Sequence, residues 1–392
     1  MADSGFLGTQ TALNKTVYAK AFLERQEQTQ AIHELAQRRR IPIGANKGDN
    51  IEFTQYLPQA LVTSALTEGT PPTDDDFVTQ TKVATLQEWG ATTKTSSRFQ
   101  FATFDVGMAE LAGVKGQQAG ESIELETLKR TMKYGVIPMR VDADSTYELH
   151  NQAVTSASGT SLVAAGLAGA NDKWNGGVIT ITEGPGYGES RIVSDWVLGT
   201  TTITLDAAFD TTPTSASKFS IAVPTALAAG DVLTVDVLRR GQRQLERANY
   251  MPFEGGYTVC MIGPNNKYDL MDDADLKTLF SNHPNAGKTL FKNELAELWG
   301  QKITKTTMPY AYAVSDYSTY VKTGAAESVL FLGRNAVGVV EAEGRAMKMI
   351  FTKPEIAEPK LHMYGYMGWK AFWVCKPLNS TWAVSMMTYP SA

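Results

Sequence analysis

The sequence predicts an α+β fold with an all-β domain inserted into its middle. Apolar residues recur at helical spacing in two stretches, one before and one after the insertion, and short apolar runs typical of strands follow the second stretch. Between the two stretches, residues 151–223 are unusually rich in Ala, Gly, Ser and Thr, and β-rich runs there alternate with glycine-rich turns. That mixture of elements is typical of an α+β protein.

Composition places the chain among ordinary folded proteins. Of its 392 residues, 43% are apolar and 20% are charged, which excludes a disordered, collagen-like or coiled-coil chain. The formal net charge of -5 gives no overall attraction to nucleic acid, so any DNA contact must be local.

The sequence also predicts a soluble protein from a reducing compartment. No apolar run approaches the roughly 18 residues of a membrane span, and the N-terminus lacks the apolar stretch of a signal peptide. Cys260 and Cys375 have no CxxC spacing and are expected to be reduced and buried.

Residues 1–48 are predicted to form an extended, mildly basic arm with one or two helical turns. The apolar spacing there is weak, and the basic residues outnumber the acidic ones. The arm ends in three consecutive arginines, Arg38, Arg39 and Arg40, just before a proline that discourages helix.

Residues 49–103 are predicted to form a long two-stranded ribbon. Apolar and polar residues alternate after position 50, and the return strand over 78–98 is rich in Thr and Val. Prolines interrupt pairing at the tip, where four carboxylates are concentrated: Glu68, Asp74, Asp75 and Asp76. Because an isolated hairpin is marginally stable in water, we expect the ribbon to lie against another subunit.

Two helices are predicted in the remainder, residues 104–150 and 224–392. The first runs from Asp105 to a cap at Gly135, although three glycines weaken its first half: Gly113, Gly116 and Gly120. The second runs from Asp231, as N-cap, to Ala248. The inserted domain is expected to be independent and joined to them by exposed loops.

No catalytic, cofactor-binding or metal-binding residue is predicted. Residues 283–289 resemble a phosphate-binding loop but lack its first glycine, so a surface loop is favoured. The four histidines have no zinc-site spacing. Asp272, Asp273 and Asp275 could bind a cation, but a solvated helix start is favoured. A hydrolase whose site is not visible in the sequence stays open as an alternative.

The order of several short motifs resembles the major capsid proteins of tailed bacteriophages, specifically the N-four-like podophage branch. The resemblance runs from about residue 48 to 375, outside the insertion. It is carried by Gly48-Asp49-Asn50-Ile51-Glu52-Phe53, Leu66-Thr67-Glu68-Gly69-Thr70-Pro71-Pro72, Gln87-Glu88-Trp89-Gly90, Gly256-Tyr257-Thr258-Val259-Cys260-Met261-Ile262-Gly263-Pro264, Leu332-Gly333-Arg334-Asn335-Ala336 and Tyr366-Met367-Gly368-Trp369-Lys370.

This resemblance implies a Hong Kong 97-type fold, with an N-terminal arm (1–48), an E-loop (49–103), peripheral and axial domains (104–150 and 224–392) and the inserted β domain (151–223). It implies a shell of hexamers and pentamers that encloses double-stranded DNA in the virion and assembles in the host bacterial cytoplasm. Scaffold and portal proteins, and a decoration protein, are the expected partners, and DNA is expected to touch the inner arm weakly. An encapsulin-like nanocompartment shell with the same fold is the alternative.

Charge complementarity suggests one contact between subunits. Lys129 and Lys133 lie four residues apart on one helical face, with Arg130 beside them. The acidic ribbon tip could meet these cations across a subunit boundary. Equally, the aspartates could simply face solvent and prevent ribbons from aggregating with one another.

Overall fold

The computed structural model describes residues 19–25, 31–41, 50–56, 65, 79–225, 227–228, 230–281, 297–298, 300–306, 326–342, 347–352, 361 and 363–391. In chain order the helices are α1 (19–25), α2 (Ile32–Leu35), α3 (Ser97–Tyr134), α4 (Val235–Arg247), α5 (Pro264–Asp272) and α6 (Ala274–Ser281). In chain order the strands are β1 (Gln37–Ile41), β2 (Asn50–Tyr56), β3 (Thr79–Thr85), β4 (Gln87–Ser96), β5 (Ile137–Arg140), β6 (Glu148–Ala153), β7 (Ser156–Ala157), β8 (Ser161–Val163), β9 (Val178–Glu183), β10 (Ser190–Val197), β11 (Thr202–Leu205), β12 (Lys218–Ala222), β13 (Thr258–Ile262), β14 (Glu297–Leu298), β15 (Gln301–Lys305), β16 (Glu327–Leu332), β17 (Val337–Ala342), β18 (Lys348–Thr352), β19 (Tyr364–Pro377) and β20 (Ala383–Thr388).

Within the described residues, the strands form three sheets and a ribbon. The arm sheet has the order β1-β17-β19-β18, and β4 pairs with the opposite edge of β19. The central sheet has the order β14-β15-β13-β16-β20-β5, and the module sheet has the order β6-β12-β9-β10-β11-β8-β7. The ribbon consists of β2 and β3, which pair antiparallel with each other. The predicted α+β class is confirmed.

The longest element is α3, with 38 residues, which corresponds to about 57 Å of helix. The Ser96 hydroxyl accepts a hydrogen bond from the Phe99 N–H, and the helix ends at Gly135, as predicted. Its buried side, which includes Leu128 and Met132, packs against β19 in one apolar cluster. No described helix is long and apolar enough to span a membrane.

The predicted start of this helix and the predicted return strand of the ribbon were both wrong. The helix begins at Ser97 rather than Asp105, and the second ribbon strand ends at Thr85 rather than near residue 98. After Leu86 the chain enters the arm sheet as β4, which pairs with β19 over its full length. Burial of Trp89 against the core of the arm sheet accounts for this change of sheet.

Where it is described, the arm contains two short helices, α1 and α2, followed by a strand; the sequence predicted one or two helical turns in an extended arm. Its last segment is β1, a strand parallel to β17, where the sequence predicted only an extended end. In α1, Phe22 is fully buried against α3. A Cβ at Gly116 would lie only 2.1 Å from the Phe22 carbonyl oxygen, so the glycine permits the backbones to touch.

The central sheet lies between two apolar clusters. One cluster joins it to α3 and the arm sheet, and the other joins it to α4. The predicted cap at Asp231 was wrong, because α4 begins at Val235, whose N–H donates to Asp273 Oδ2 at 3.1 Å. The other oxygen of Asp273 accepts from Asp275 N and Leu276 N and caps α6. Within the described residues, no group of side chains forms a metal cluster.

The inserted segment folds around its own core, in which Trp174, Trp196 and Phe219 are fully buried. Strands β9, β10 and β11 coincide with β-rich runs of the sequence at 178–182, 191–198 and 201–205, whereas β6, β7, β8 and β12 were not individually predicted. At the predicted connections, His150, Asn151 and Thr225 are exposed, whereas Glu148 and Val223 beside them are buried. We call the segment from β6 to β12 the β module.

Replacing Gly116 by alanine should detach α1 from α3, even though alanine favours helix by about 1 kcal/mol. The new Cβ would collide with a backbone oxygen, which cannot swing aside as a side chain can. Hydrogen exchange of residues 19–25, measured by mass spectrometry, should accelerate.

Gly113→Ala is the matched control for this helix variant. Its Cβ would meet only the flexible Arg25 side chain, at 3.0 Å, so residues 19–25 should stay protected. Unchanged protection in Gly116→Ala would contradict the close approach of the two backbones.

Candidate functional site: the ribbon root and the adjoining cleft

One face of the ribbon is buried at its root. Along β3, exposed and buried residues alternate. Gln80 and Lys82 are buried, at 7% and 3% exposure, whereas Val83, which follows Lys82, is 44% exposed. The Lys82 ammonium donates to the carbonyl oxygens of Gly188 and Leu378, at 2.9 and 2.8 Å. One lysine therefore joins the ribbon to the β module and to the turn after β19.

Glu189 provides the counter-charge at this root and is 2% exposed. Its Oε1 accepts from Gln80 Nε2 at 3.1 Å and from Thr211 N at 3.0 Å. Its Oε2 accepts from Asp210 N at 2.7 Å and from Arg191 Nη2 at 3.2 Å. The carboxylate thus holds together the ribbon, strand β10 and the loop between β11 and β12. We call Gln80, Lys82, Gly188, Glu189 and Leu378 the ribbon root.

Burial shifts the pKa values of both charged groups towards their neutral forms. Loss of hydration lowers the pKa of Lys82 to about 8, opposed mainly by the charge of Glu189. Loss of hydration likewise raises the pKa of Glu189, opposed mainly by Arg191. Each charge compensates the other, so removal of either would leave an uncompensated buried charge.

A cleft of about 420 Å³ adjoins the ribbon root between the end of α3 and the β module. Lys129, Arg130 and Lys133 all line it. Arg130 is held internally by Glu126 Oε1 at 2.7 Å and Gln87 Oε1 at 2.6 Å. Lys129 and Lys133 are partly exposed and form no hydrogen bond or ion pair with the described residues.

The opposite wall of the cleft carries charges that are already paired. Lys376 Nζ lies 2.7 Å from Asp210 Oδ2. The Tyr134 hydroxyl donates to Asp206 Oδ2 at 3.0 Å, and burial together with this carboxylate raises the pKa of Tyr134 to about 12. The cleft therefore presents Lys129 and Lys133 without a described partner, beside the paired Arg130, and the predicted contact of all three with the ribbon tip stays a prediction. The predicted anionic residues, Glu68, Asp74, Asp75 and Asp76, lie outside the described residues.

The three predicted arm arginines lie on β1 and are exposed. Arg39 Nη1 donates to the Glu52 carbonyl oxygen at 3.2 Å, and its guanidinium carbon lies 4.7 Å from the Phe53 ring centroid. Arg38 Nε donates to the His33 carbonyl oxygen at 3.4 Å. The Arg39 contacts tie the arm to the ribbon strand β2, whereas the Arg38 contact lies within the arm; a role towards DNA stays a prediction.

Buried hydrogen bonds attach the arm to α3 and β17, and the sequence did not predict them. Glu124 on α3 is 2% exposed and accepts from the N–H groups of Ile32 and His33. His33 Nε2 lies 2.8 Å from Glu341 Oε1 on β17. Burial raises the pKa of Glu124, whereas the hydrogen bond from His33 lowers that of Glu341. Sequence gave no signal, because Glu124 and His33 resemble ordinary surface residues.

The cysteines and histidines that the sequence analysis considered for catalysis or metal binding are either buried or paired where they are described. Cys260 and Cys375 are free and buried, and loss of hydration raises the pKa of each thiol, that of Cys375 to about 12. His33 and His150 each pair with a glutamate. The phosphate-loop-like residues 283–289 lie outside the described residues, as do His283 and His362.

The long helix, the two-stranded ribbon with a buried root and the central sheet can be compared with known proteins. No family model matches the sequence, and no curated protein sequence matches it. Among solved structures, the capsid of cyanophage P-SCSP1u matches with a TM-score of 0.52 at 14% identity, over 93% of this chain and 89% of that chain.

Two further phage capsids show the same likeness. Cyanophage Pam1 matches with a TM-score of 0.53 at 15% identity, over 91% of both chains. Helicobacter pylori bacteriophage KHP30 matches with a TM-score of 0.54 at 6% identity, over 92% of this chain and 91% of that chain. The Hong Kong 97-type fold implied by the sequence resemblance is therefore confirmed.

Replacing Lys82 by methionine should change how the free energy of unfolding depends on pH. Because burial lowers the pKa of Lys82 to about 8 in the folded state, the unfolded state binds its proton more tightly. Between pH 8 and about 10.5, wild type should gain up to about 3 kcal/mol relative to the variant as the pH rises. Guanidinium unfolding at pH 7 and pH 10 measures this difference.

Thr81→Met is the control, since residue 81 lies on the exposed face of the same strand. Its stability relative to wild type should not depend on pH over this range. A wild-type advantage over Lys82→Met that stays constant or falls with rising pH would show that Lys82 is not buried as a charge.

Proposed function

We propose that this chain is a major capsid protein that self-assembles into the hexamers and pentamers of an icosahedral phage head enclosing double-stranded DNA. The observation that carries the proposal is the fold shared with capsid chains over nine-tenths of both chains. A fold alone does not assign a function. The ribbon is the second feature that supports a role in a shell.

The ribbon is built to contact another molecule. Its two seven-residue strands pair only with each other among the described residues, and two-stranded hairpins are marginally stable alone in water. Its root is fixed by buried charges, so it leaves the body of the protein in a defined direction. A neighbouring subunit would cover the ribbon and supply the missing contacts.

The proposed division of labour follows the parts of the fold. Residues 1–48 are the arm, 49–103 the E-loop segment, 104–150 and 224–392 the capsid core, and 151–223 an inserted domain on the outer face. Strand β4 and the start of α3 belong structurally to the core, although they fall within 49–103. Scaffold, portal and decoration proteins are the proposed partners.

DNA would touch the shell weakly and without sequence preference. The three exposed arginines of β1 offer a local positive surface on a chain whose net charge is -5. Contacts with phosphates through so few cations would be weak and sensitive to salt. We propose no enzymatic step and no cofactor, and we place the protein in the virion after assembly in the bacterial host.

Electron microscopy and sedimentation of the full chain, alone and with its virion components, test the proposed function. Closed shells or hexameric capsomers are expected, and shells from infected cells should contain DNA. Shells filled with a protein cargo would instead identify a nanocompartment. A stable monomer at high micromolar concentration in the presence of virion components would contradict a capsid role, and a reconstruction would locate the β module.

We further propose that the acidic ribbon tip of one subunit meets Lys129 and Lys133 of its neighbour. The structure supports these two cations because they line a cleft and have no described ionic partner. Each exposed pair contributes only about 0–1 kcal/mol. A shell repeats the contact at every subunit, so small contributions can decide assembly.

Reversing Asp74, Asp75 and Asp76 to lysine should lower the yield of shells, and adding Lys129→Glu with Lys133→Glu should restore part of it. The effect should weaken as salt increases, since exposed charges are screened. Shell yield by sedimentation is the measurement, and Lys348→Glu on β18 is a control for general charge change. Equal yields for the combined and the tip-only variants across a salt series would refute the pairing.

A further inference from the structure

Among the described strands, β4 lies at an edge of the arm sheet. It pairs with β19 from Gln87 to Ser96, and no described strand pairs with its other side. Its ten residues contain no proline, and the ladder to β19 has no bulge. Exposed backbone groups along such an edge readily pair with another strand. This edge is therefore a candidate for pairing with a strand of another molecule.

The charges on this edge complement themselves. Glu88, Gly90, Thr92 and Lys94 all lie on the exposed face of β4. In an antiparallel pair of two β4 strands centred on Ala91, each Glu88 faces Lys94 of the other copy, and Gly90 faces Thr92. Shifting the pair by two residues places Glu88 opposite Thr92 or Ser96 and removes both ionic contacts. Opposite charges directly across two strands stabilise their pairing.

Neighbouring side chains hold these two charges on the face where a partner would meet them. Lys370 on β19 forms an ion pair with Glu88. The Lys94 ammonium lies 3.4 Å from the centre of the Tyr364 ring, also on β19. Both charges are therefore positioned before any partner arrives, which reduces the entropy lost on association.

An icosahedral shell contains two-fold axes, at which a surface can contact a copy of itself. Contacts around a ring of subunits join two different surfaces, whereas a contact across a two-fold axis joins a surface to a copy of itself. We propose that β4 pairs antiparallel with β4 of a second copy of this chain across a two-fold axis, with Ala91 at the centre. Two arm sheets then form one continuous sheet. The inference rests on the proposed function, because it joins subunits of a shell.

A cysteine at position 91 tests the register directly. Only Ala91 faces its own copy in this pairing, and the Cα separation of about 4.5–5.5 Å in antiparallel pairs suits a disulfide. Shells of Ala91→Cys, mildly oxidised, should yield covalent dimers on non-reducing gels. Thr93→Cys, which would face Trp89 of the other copy, should yield few. The native cysteines are buried and do not interfere.

The outcomes separate this inference from the proposed function. Shells of Ala91→Cys without dimers, or equal dimer yields from Thr93→Cys, would overturn the β4 pairing and leave the capsid function intact. Failure of the wild-type chain to form any shell or capsomer with its virion components would overturn the capsid function, and the pairing with it.

Charge exchange gives a second test that does not depend on a cysteine. In a Lys370→Met background, which removes the internal partner of Glu88, shell yield should stay unchanged. Adding Glu88→Lys or Lys94→Glu alone should lower association roughly three- to tenfold, because like charges then face each other. Both changes together should restore it. A double variant no better than either single variant would overturn the proposed register.

Discussion

The structure depends on keeping one lysine ammonium out of water. Lys82 can stay charged in the protein interior only while the carbonyl oxygens of Gly188 and Leu378, with the charge of Glu189, replace its hydration. These groups come from the β module and from the turn after β19. A displacement of the ribbon, the module or that turn would leave a buried charge without compensation, which is strongly destabilising. The three parts are therefore locked in one arrangement, and the ribbon leaves it in a fixed direction.

The long helix α3 connects this root to the arm. The arm packs onto the middle of this helix and beyond, where Gly116 admits the Phe22 backbone and Glu124 binds the start of α2. The basic cleft lies at its other end, beside the ribbon root. A rigid root combined with surfaces that the chain does not cover itself suits a protein whose stability is completed by its neighbours. Such a molecule contributes small, repeated contacts to a large assembly.

Elements whose position depends on nearby residues were predictable from the sequence. Alternation and turn residues located β9, β10 and β11 of the β module, and the apolar stripe with Gly135 located the end of α3. The start of α3 was missed because the Thr-rich segment up to residue 98 was assigned to the return strand of the ribbon, although Ser96 caps the helix at Ser97. Strand β1 and the ribbon root were missed because their partners are distant in the sequence. In the sequence, three consecutive arginines look like the exposed end of an arm, but pairing with the distant strand β17 makes them part of a sheet. Lys82 in a Thr-rich strand looks like a surface residue, but the distant Gly188 and Leu378 bury it.

Hydrogen exchange of residues 79–85 in the full chain before assembly tests most directly whether the ribbon root is rigid on its own. The buried contacts of Gln80 and Lys82 predict that these amides exchange as slowly as those of β19, because both would open only with the surrounding core. Exchange at the rate of an unstructured peptide before assembly, followed by protection only within shells, would contradict the account. The ribbon would then be ordered by its neighbours rather than positioned for them.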